Sequence, residues 1–362
     1  MHRNDSVPGT IAVGCTAFGR EPSTEGVLFH RAPGLATVPA LARSLRSYNP
    51  VMASSATPSA ALPPGYASAR EKLAHRFRAV GVLDVAGEER ISFLQGQLTQ
   101  EVTGLAVGEC RPAAGLTSKG KILFVARVVG QKDRIRLIVP APIRRLVLEH
   151  LRKYAVFTRV EIEDRSEEFV RVVLYGPEAS RLRLPVDLDR LPPDREIAGE
   201  VLAPSERRAE LEALLQSAGS AELPEQTAEI LRVEAGRPQF GTDMDSTNLP
   251  DEVGLADAIS TTKGCYVGQE IVARLRTYGR VNRRLVRFRF PGRPIDPGTP
   301  LRRPDEEKPG KVEAGRVTSS AVSPQSGAIG LGFAFRDVTD GDRLVSTVRA
   351  DDTAIVSDLA PA

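Results

Sequence analysis

The sequence predicts an α+β fold with mainly antiparallel sheets and a small C-terminal β-barrel. Two observations carry this. Between Val80 and Tyr175 the apolar patterns run strand, helix, hairpin, strand, helix, strand, an order that suits layers over an antiparallel sheet. Beyond residue 283, short apolar segments at 284–290, 311–319, 328–335 and 343–349 are broken by Gly and Pro, as in a small barrel. A third observation removes a competitor: no glycine-rich phosphate loop follows any strand, so nucleotide-binding parallel sheets gain no support.

The chain has 362 residues, 41% hydrophobic and 26% charged, enough for two or three domains with a sizeable core. The net charge of +3 is too small to argue for nucleic acid from the total. Cys15, Cys110 and Cys265 are far apart and odd in number, which suits a reducing compartment rather than a disulfide framework. No apolar run approaches the roughly 18 residues of a membrane span, so no membrane association is expected.

Residues 1–66 are rich in Ala, Ser, Pro and Gly and read as a low-complexity, disordered extension. Gly26 to Arg70 contains no acid but holds Arg31, Arg43, Arg46 and Arg70, the bias of a transit peptide. A linker, or a true start at Met52, explains the same bias. The expected location is the cytoplasm of a bacterium, or the mitochondrial matrix if the extension is a transit peptide.

The folded part is expected as 67–282, in two subdomains, followed by the barrel at 283–356. Val80–Val85 reads as a strand and Glu88–Leu98 as a helix with Ile91, Leu94, Gln95 and Leu98 along one side. Ala113–Leu116 and Ile122–Val129 form a hairpin around Thr117-Ser118-Lys119-Gly120-Lys121. A strand at Arg134–Val139, a helix at Ala141–Lys153, and strands at Phe157–Glu163 and Val170–Tyr175 follow. Residues 178–226, rich in Arg, Leu, Pro and Glu, are the least informative folded stretch. Thr227–Ala235 reads as a helix opened by its threonine and closed by Gly236.

The chemistry concentrates in Lys263-Gly264-Cys265-Tyr266-Val267-Gly268-Gln269-Glu270. Ile271, Leu275 and Tyr278 share one face of a helix that follows, with Glu270 in its first turn and Gly279 at its end. Cys265 precedes a helix N-terminus, with Lys263 two residues away to support a thiolate. A cysteine taken at random is usually buried and inert, but flanking glycines suit close approach of a ligand.

This octet resembles the signature of the YgfZ family, folate-binding relatives of the glycine-cleavage T-protein that support iron–sulfur cluster proteins. Three further segments share the likeness. Phe93-Leu94-Gln95-Gly96-Gln97-Leu98-Thr99 resembles a YgfZ segment. Arg232-Val233-Glu234-Ala235-Gly236-Arg237-Pro238, running on to Phe240-Gly241-Thr242-Asp243, resembles one shared with T-protein, as does Leu249-Pro250-Asp251-Glu252. In the T-protein an aspartate taken as catalytic follows the hairpin turn. Here the corresponding positions include Leu123 and Phe124, which cannot accept a proton, so aminomethyl transfer by that route is disfavoured.

The resemblance implies a ligand, tetrahydrofolate or a derivative. Glu252 is the candidate to accept the paired N–H groups of the pterin, Phe240 to cover a ring face, and Arg232 and Arg274 to meet the glutamate tail. Cys265 is then an accessible sulfur at the mouth of a pterin pocket bordered by residues 232–252. The partners implied are iron–sulfur client or assembly proteins, with an indirect effect on tRNA modification. Two other readings stay open: a folate-dependent one-carbon transferase, and an RNA-binding module. The latter rests on seven arginines, at 274, 276, 280, 283, 284, 287 and 289.

Overall fold

A computed structural model describes residues 61–185, 188–192, 197–305 and 313–359. The expectations for residues 1–60, including the disordered extension and the transit peptide, lie outside the described residues, as does Cys15. Order begins earlier than Ala67. Helix α1 (Tyr66–Glu71) buries Tyr66 and Ala69.

The first sheet runs β3-β4-β5-β2-β6, with β2 (Val80–Ala86), β3 (Cys110–Leu116), β4 (Ile122–Gly130), β5 (Arg134–Pro140) and β6 (Glu161–Asp164). All its pairings are antiparallel. Along β4, buried Ile122, Phe124 and Ala126 alternate with half-buried neighbours, the period of a strand with one face in the core. Helices α2 (Arg90–Gln97) and α3 (Arg144–Ala155) bury Phe93, Leu94, Val147 and Leu151 in the core of Leu83, Phe124 and Leu137. The strand expected from Phe157 is shorter. Residues 156–159 form turns and bends, Phe157 is 99% exposed, and pairing starts at Glu161.

The second sheet runs β10-β1-β7-β9-β8, with β1 (Ala74–Arg78), β7 (Phe169–Tyr175), β8 (Asp189–Leu191), β9 (Ile197–Pro204) and β10 (Ala221–Glu222). Only β10 pairs in parallel. The stretch that was least legible in sequence therefore supplies three strands, β8, β9 and β10, and helix α4 (Arg208–Ser217). Helix α5 (Glu225–Glu234) starts before Thr227, whose hydroxyl instead donates to the Pro64 carbonyl at 3.0 Å.

The C-terminal part is a closed barrel, ordered β11-β14-β13-β12-β15-β16, with β11 (Arg283–Phe290), β12 (Pro300–Arg302), β13 (Gly315–Ser323), β14 (Gly327–Phe335), β15 (Arg343–Ser346) and β16 (Thr353–Asp358). Val286, Phe288 and Phe290 point inward. Across from them Gly330 and Gly332 leave room for the rings. An added Cβ would lie 2.7 Å from Phe290 and 2.8 Å from Phe288. The fold expectation is thus met, with the barrel spanning residues 283–358.

Candidate functional site

Four sequence segments meet around the octet. Helix α6 (Gln269–Tyr278) is capped by Gly268, at φ 83°, and closed by Gly279. The Gly268 Cα faces the hairpin turn. A Cβ there would sit 2.5 Å from the Thr117 carbonyl and 3.2 Å from the Gly120 Cα. The Phe93–Thr99 segment docks on the other side. Val267 N–H donates to the Gly96 carbonyl at 3.2 Å, and Ser260 N–H to the Thr99 carbonyl at 3.0 Å. Ile122 N–H donates to the Asn248 carbonyl at 2.9 Å, which ties in the Leu249–Glu252 loop.

Within this junction the Cys265 side chain is exposed and makes no hydrogen bond among the described residues. Lys263 does not support a thiolate. It is buried, and its ammonium donates to the carbonyls of Leu98, Gln95 and Gln100 at 2.6, 2.8 and 2.9 Å. It thus satisfies the open C-terminal end of α2, where a cation is favourable. Burial pushes its pKa down to about 8, opposed by Glu101. The helix face also differs from expectation. Val272 is the buried residue, whereas Tyr278 is 88% exposed because α6 lies on the surface.

The other predicted ligand groups separate. Arg232 is not available to a folate tail. Its guanidinium bonds Glu229 twice at 2.7 and 2.8 Å, Asp243 at 2.5 Å, Ser319 at 2.6 Å and the Arg237 carbonyl at 2.6 Å. It is a buried ionic strut between α5 and the barrel. Glu252 is likewise engaged inside its loop. Its Oε2 accepts from Leu249 N–H at 3.1 Å and Asn248 at 3.2 Å, and lies 3.4 Å from Arg283. Phe240 packs against two cores. Arg274 is exposed on α6. Leu123 packs against the first core, and Phe124 is fully buried opposite Gly115. The arginine strip is broken up: Arg276 pairs with Asp251, Arg283 with Glu252, and Arg284 with Asp358.

A carboxylate outside these segments is buried among arginines. Glu200 of β9 is 2% exposed, yet its Oε2 receives no hydrogen bond among the described residues. Three guanidiniums stand just beyond bonding distance: Arg127 and Arg171 at 3.8 Å and Arg237 at 3.9 Å. Burial opposes ionisation, but Arg171, Arg127, Arg237 and Arg78 outweigh it and hold the carboxyl below its ordinary range. The register explains the gathering. Val173 of β7 faces Glu200, so Arg171 is its diagonal neighbour on the same sheet face, and Arg78 faces Arg171 from β1.

Glu200 also lines a cavity of about 390 Å³, with Cys110, Leu174, Arg190, Leu191 and Val201. Burial pushes the Cys110 thiol up to about 11, so it stays protonated at neutral pH. Cys265 and residues 232–252 are not part of this wall. The cavity touching Leu231, Arg232, Ala235 and Arg237 holds only about 20 Å³, room for a single water. One signal in the sequence pointed to Glu200: a lone acid inside an otherwise apolar strand, Ile197-Ala-Gly-Glu-Val-Leu-Ala.

No family model matches the chain. The aminomethyltransferase of Rubrobacter xylanophilus is 31% identical over 307 residues, 75% of this chain and 80% of that protein. The chain belongs to the YgfZ/aminomethyltransferase family. The tRNA-modifying protein YgfZ of Colwellia psychrerythraea is 28% identical over 223 residues, 57% of this chain and 68% of its own length. A putative chloroplastic transferase of Arabidopsis thaliana is 27% identical over 304 residues, 77% of this chain and 68% of that protein. Among solved structures, aminomethyltransferase T of the Bartonella henselae glycine cleavage system superposes with a TM-score of 0.71 at 20% identity. That match covers 82% of this chain and 88% of the other, and shows the shared fold. Among the described residues of this family member, no helix is long and apolar enough to cross a membrane.

Proposed function

We propose that this chain binds a reduced folate at Glu200 and acts, through the Cys265 thiol, in the maintenance of iron–sulfur proteins, with tRNA modification affected downstream. The observation that carries the folate part is the buried Glu200 carboxylate, whose Oε2 receives no hydrogen bond among the described residues. A buried acceptor without a donor costs free energy on the order of 1–3 kcal/mol, more for a charge, unless a ligand supplies the donor. A pterin ring offers two adjacent N–H groups, which match one carboxylate. Kinship with aminomethyltransferases supports the ligand class.

The thiol part rests on exposure. Cys265 is held out of the core on a segment braced by Lys263 and Gly268, free to meet a macromolecular partner. A lone thiolate cannot hold a cluster, so any further ligands come from that partner. Cys265→Ser should fold as the parent does, since exposed substitutions stay within about 0.5 kcal/mol. It should fail to restore iron–sulfur enzyme activity in cells lacking the protein. Full restoration by the serine variant removes the thiol from the mechanism.

Aminomethyl transfer is the second reading, favoured by the 31% identical relative. Against it stands the hairpin, where Leu123 and Phe124 pack into the first core in place of an acid. Formation of methylene-tetrahydrofolate from an aminomethyl donor by the purified protein decides for this reading.

A further inference from the structure

We propose that the surface formed by α6 and the β3–β4 turn beside Cys265 docks an acidic protein segment, so that charge selects which partner reaches the thiol. The inference deepens the thiol reading and rests on it. Its basis is a group of cations that the fold brings together and leaves unpaired. The β3–β4 turn packs on the first turn of α6, where a Cβ on Gly120 would sit 2.9 Å from the Ile271 side chain. Lys119 and Lys121 flank that contact, the first exposed and the second half-buried. On the helix, Ile271, Arg274 and Tyr278 follow at i, i+3 and i+7 and share one side. Arg274, Tyr278 and Arg280 are exposed. The side chains of Lys119, Lys121, Arg274 and Arg280 make no ion pair or hydrogen bond among the described residues. Arg276, by contrast, is paired with Asp251.

Nearby acids do not cancel this group. Glu270 is the only acid of α6, and the turn Thr117–Lys121 has none. On adjoining loops, Glu101 and Asp245 accept from Thr103 and Thr247 within their own turns. Cys265 is exposed and lies three residues before Gly268, which packs on the Thr117 carbonyl. Its backbone is therefore within about 11 Å of the turn contact. Positive charge alone would suit phosphates equally well, but two features favour a protein. A nucleic acid offers a thiol no sulfur or metal to meet, and one exposed tyrosine falls short of the stacked aromatic series that holds single strands. Tyrosine beside arginine is instead the pairing that protein interfaces favour.

The test is thiol–disulfide exchange of the full chain with two synthetic peptides that differ only in charge. Each carries one cysteine as its 2-thiopyridyl disulfide, flanked by glutamates in one peptide and by lysines in the other. The Cys265 sulfur bonds to the peptide sulfur, the bond to the pyridyl sulfur breaks, and 2-thiopyridone leaves. The product is read by mass on the fragment that bears Cys265, so Cys15 and Cys110 do not contribute. We expect the glutamate peptide to react about tenfold faster or more at low salt, with the ratio collapsing near about 0.5 M salt. Lys119→Glu and Arg274→Glu should each shrink the ratio at least about threefold. Lys132→Glu, exposed beyond the other end of β4 and about 30 Å away, should leave it unchanged. Equal rates for the two peptides, or a ratio that survives both reversals, overturn the inference and leave the thiol reading standing. Equal rates with retention of polyuridylate by the parent, lost in Arg274→Glu, assign the face to RNA and overturn it too. No reaction of Cys265 with either peptide overturns both readings.

Discussion

Gly268 stands so close to Thr117 that a single methyl group on its Cα would lie 2.5 Å from the Thr117 carbonyl oxygen. Its φ of 83° adds a second reason for glycine, since side chains disfavour that region. This contact, with the Lys263 ammonium on the end of α2, holds the Cys265 segment against the hairpin and the Phe93–Thr99 segment. Gly268→Ala should therefore cost about 3 kcal/mol of unfolding free energy, from strain and overpacking together. Gly264 has no atom within 4 Å of its added Cβ. Gly264→Ala should change stability by less than about 0.5 kcal/mol. Denaturant titrations of the two variants check the contrast.

Lys263 acts on structure, not on the thiol. Lys263→Met removes the donor from three carbonyls at once and should destabilise the protein by about 3 kcal/mol. The rate of Cys265 alkylation at neutral pH should match the parent's. A clear fall of that rate in Lys263→Met would instead assign the ammonium to the thiol.

His150 predicts a pH effect on stability. Burial, with Lys153 nearby, pushes its pKa down to about 4, and its ring packs against Phe124 and Tyr154. The unfolded chain binds the proton near pH 6.5, whereas the folded one does not until about pH 4. The unfolded state thus holds more protons between these values, and stability falls as pH drops through this window. Above about pH 6.5 His150 contributes no slope. Thermal melts from pH 7 to 4 should fall less steeply in His150→Phe.

Much of the architecture was legible because it is local. The alternation along Ile122–Gly130, the turn at Gly120 and the barrel strands from Arg283 onward are set by residues a few positions apart. The convergence of the Phe93, Leu249 and Lys263 segments was legible as likeness, though not as contact. What sequence could not show was direction. Arg232 and Glu252 have the right chemistry for a ligand, but they turn toward Asp243 and Asn248. Lys263 lies two residues from Cys265 and points at Leu98. Glu200 and Arg171 were passed over because their proximity comes from the pairing of β7 with β9. That is a long-range register, and it leaves no mark on either strand alone.

We propose Glu200 as the ligand-binding carboxylate. Calorimetric titration with tetrahydrofolate of the parent, Glu200→Gln and Glu252→Gln tests it most directly. The prediction is a loss of roughly 10- to 100-fold in affinity for Glu200→Gln, as expected when a charged acceptor is replaced. Glu252→Gln should stay within about threefold of the parent. Unchanged affinity in Glu200→Gln, with binding lost in Glu252→Gln, would contradict it.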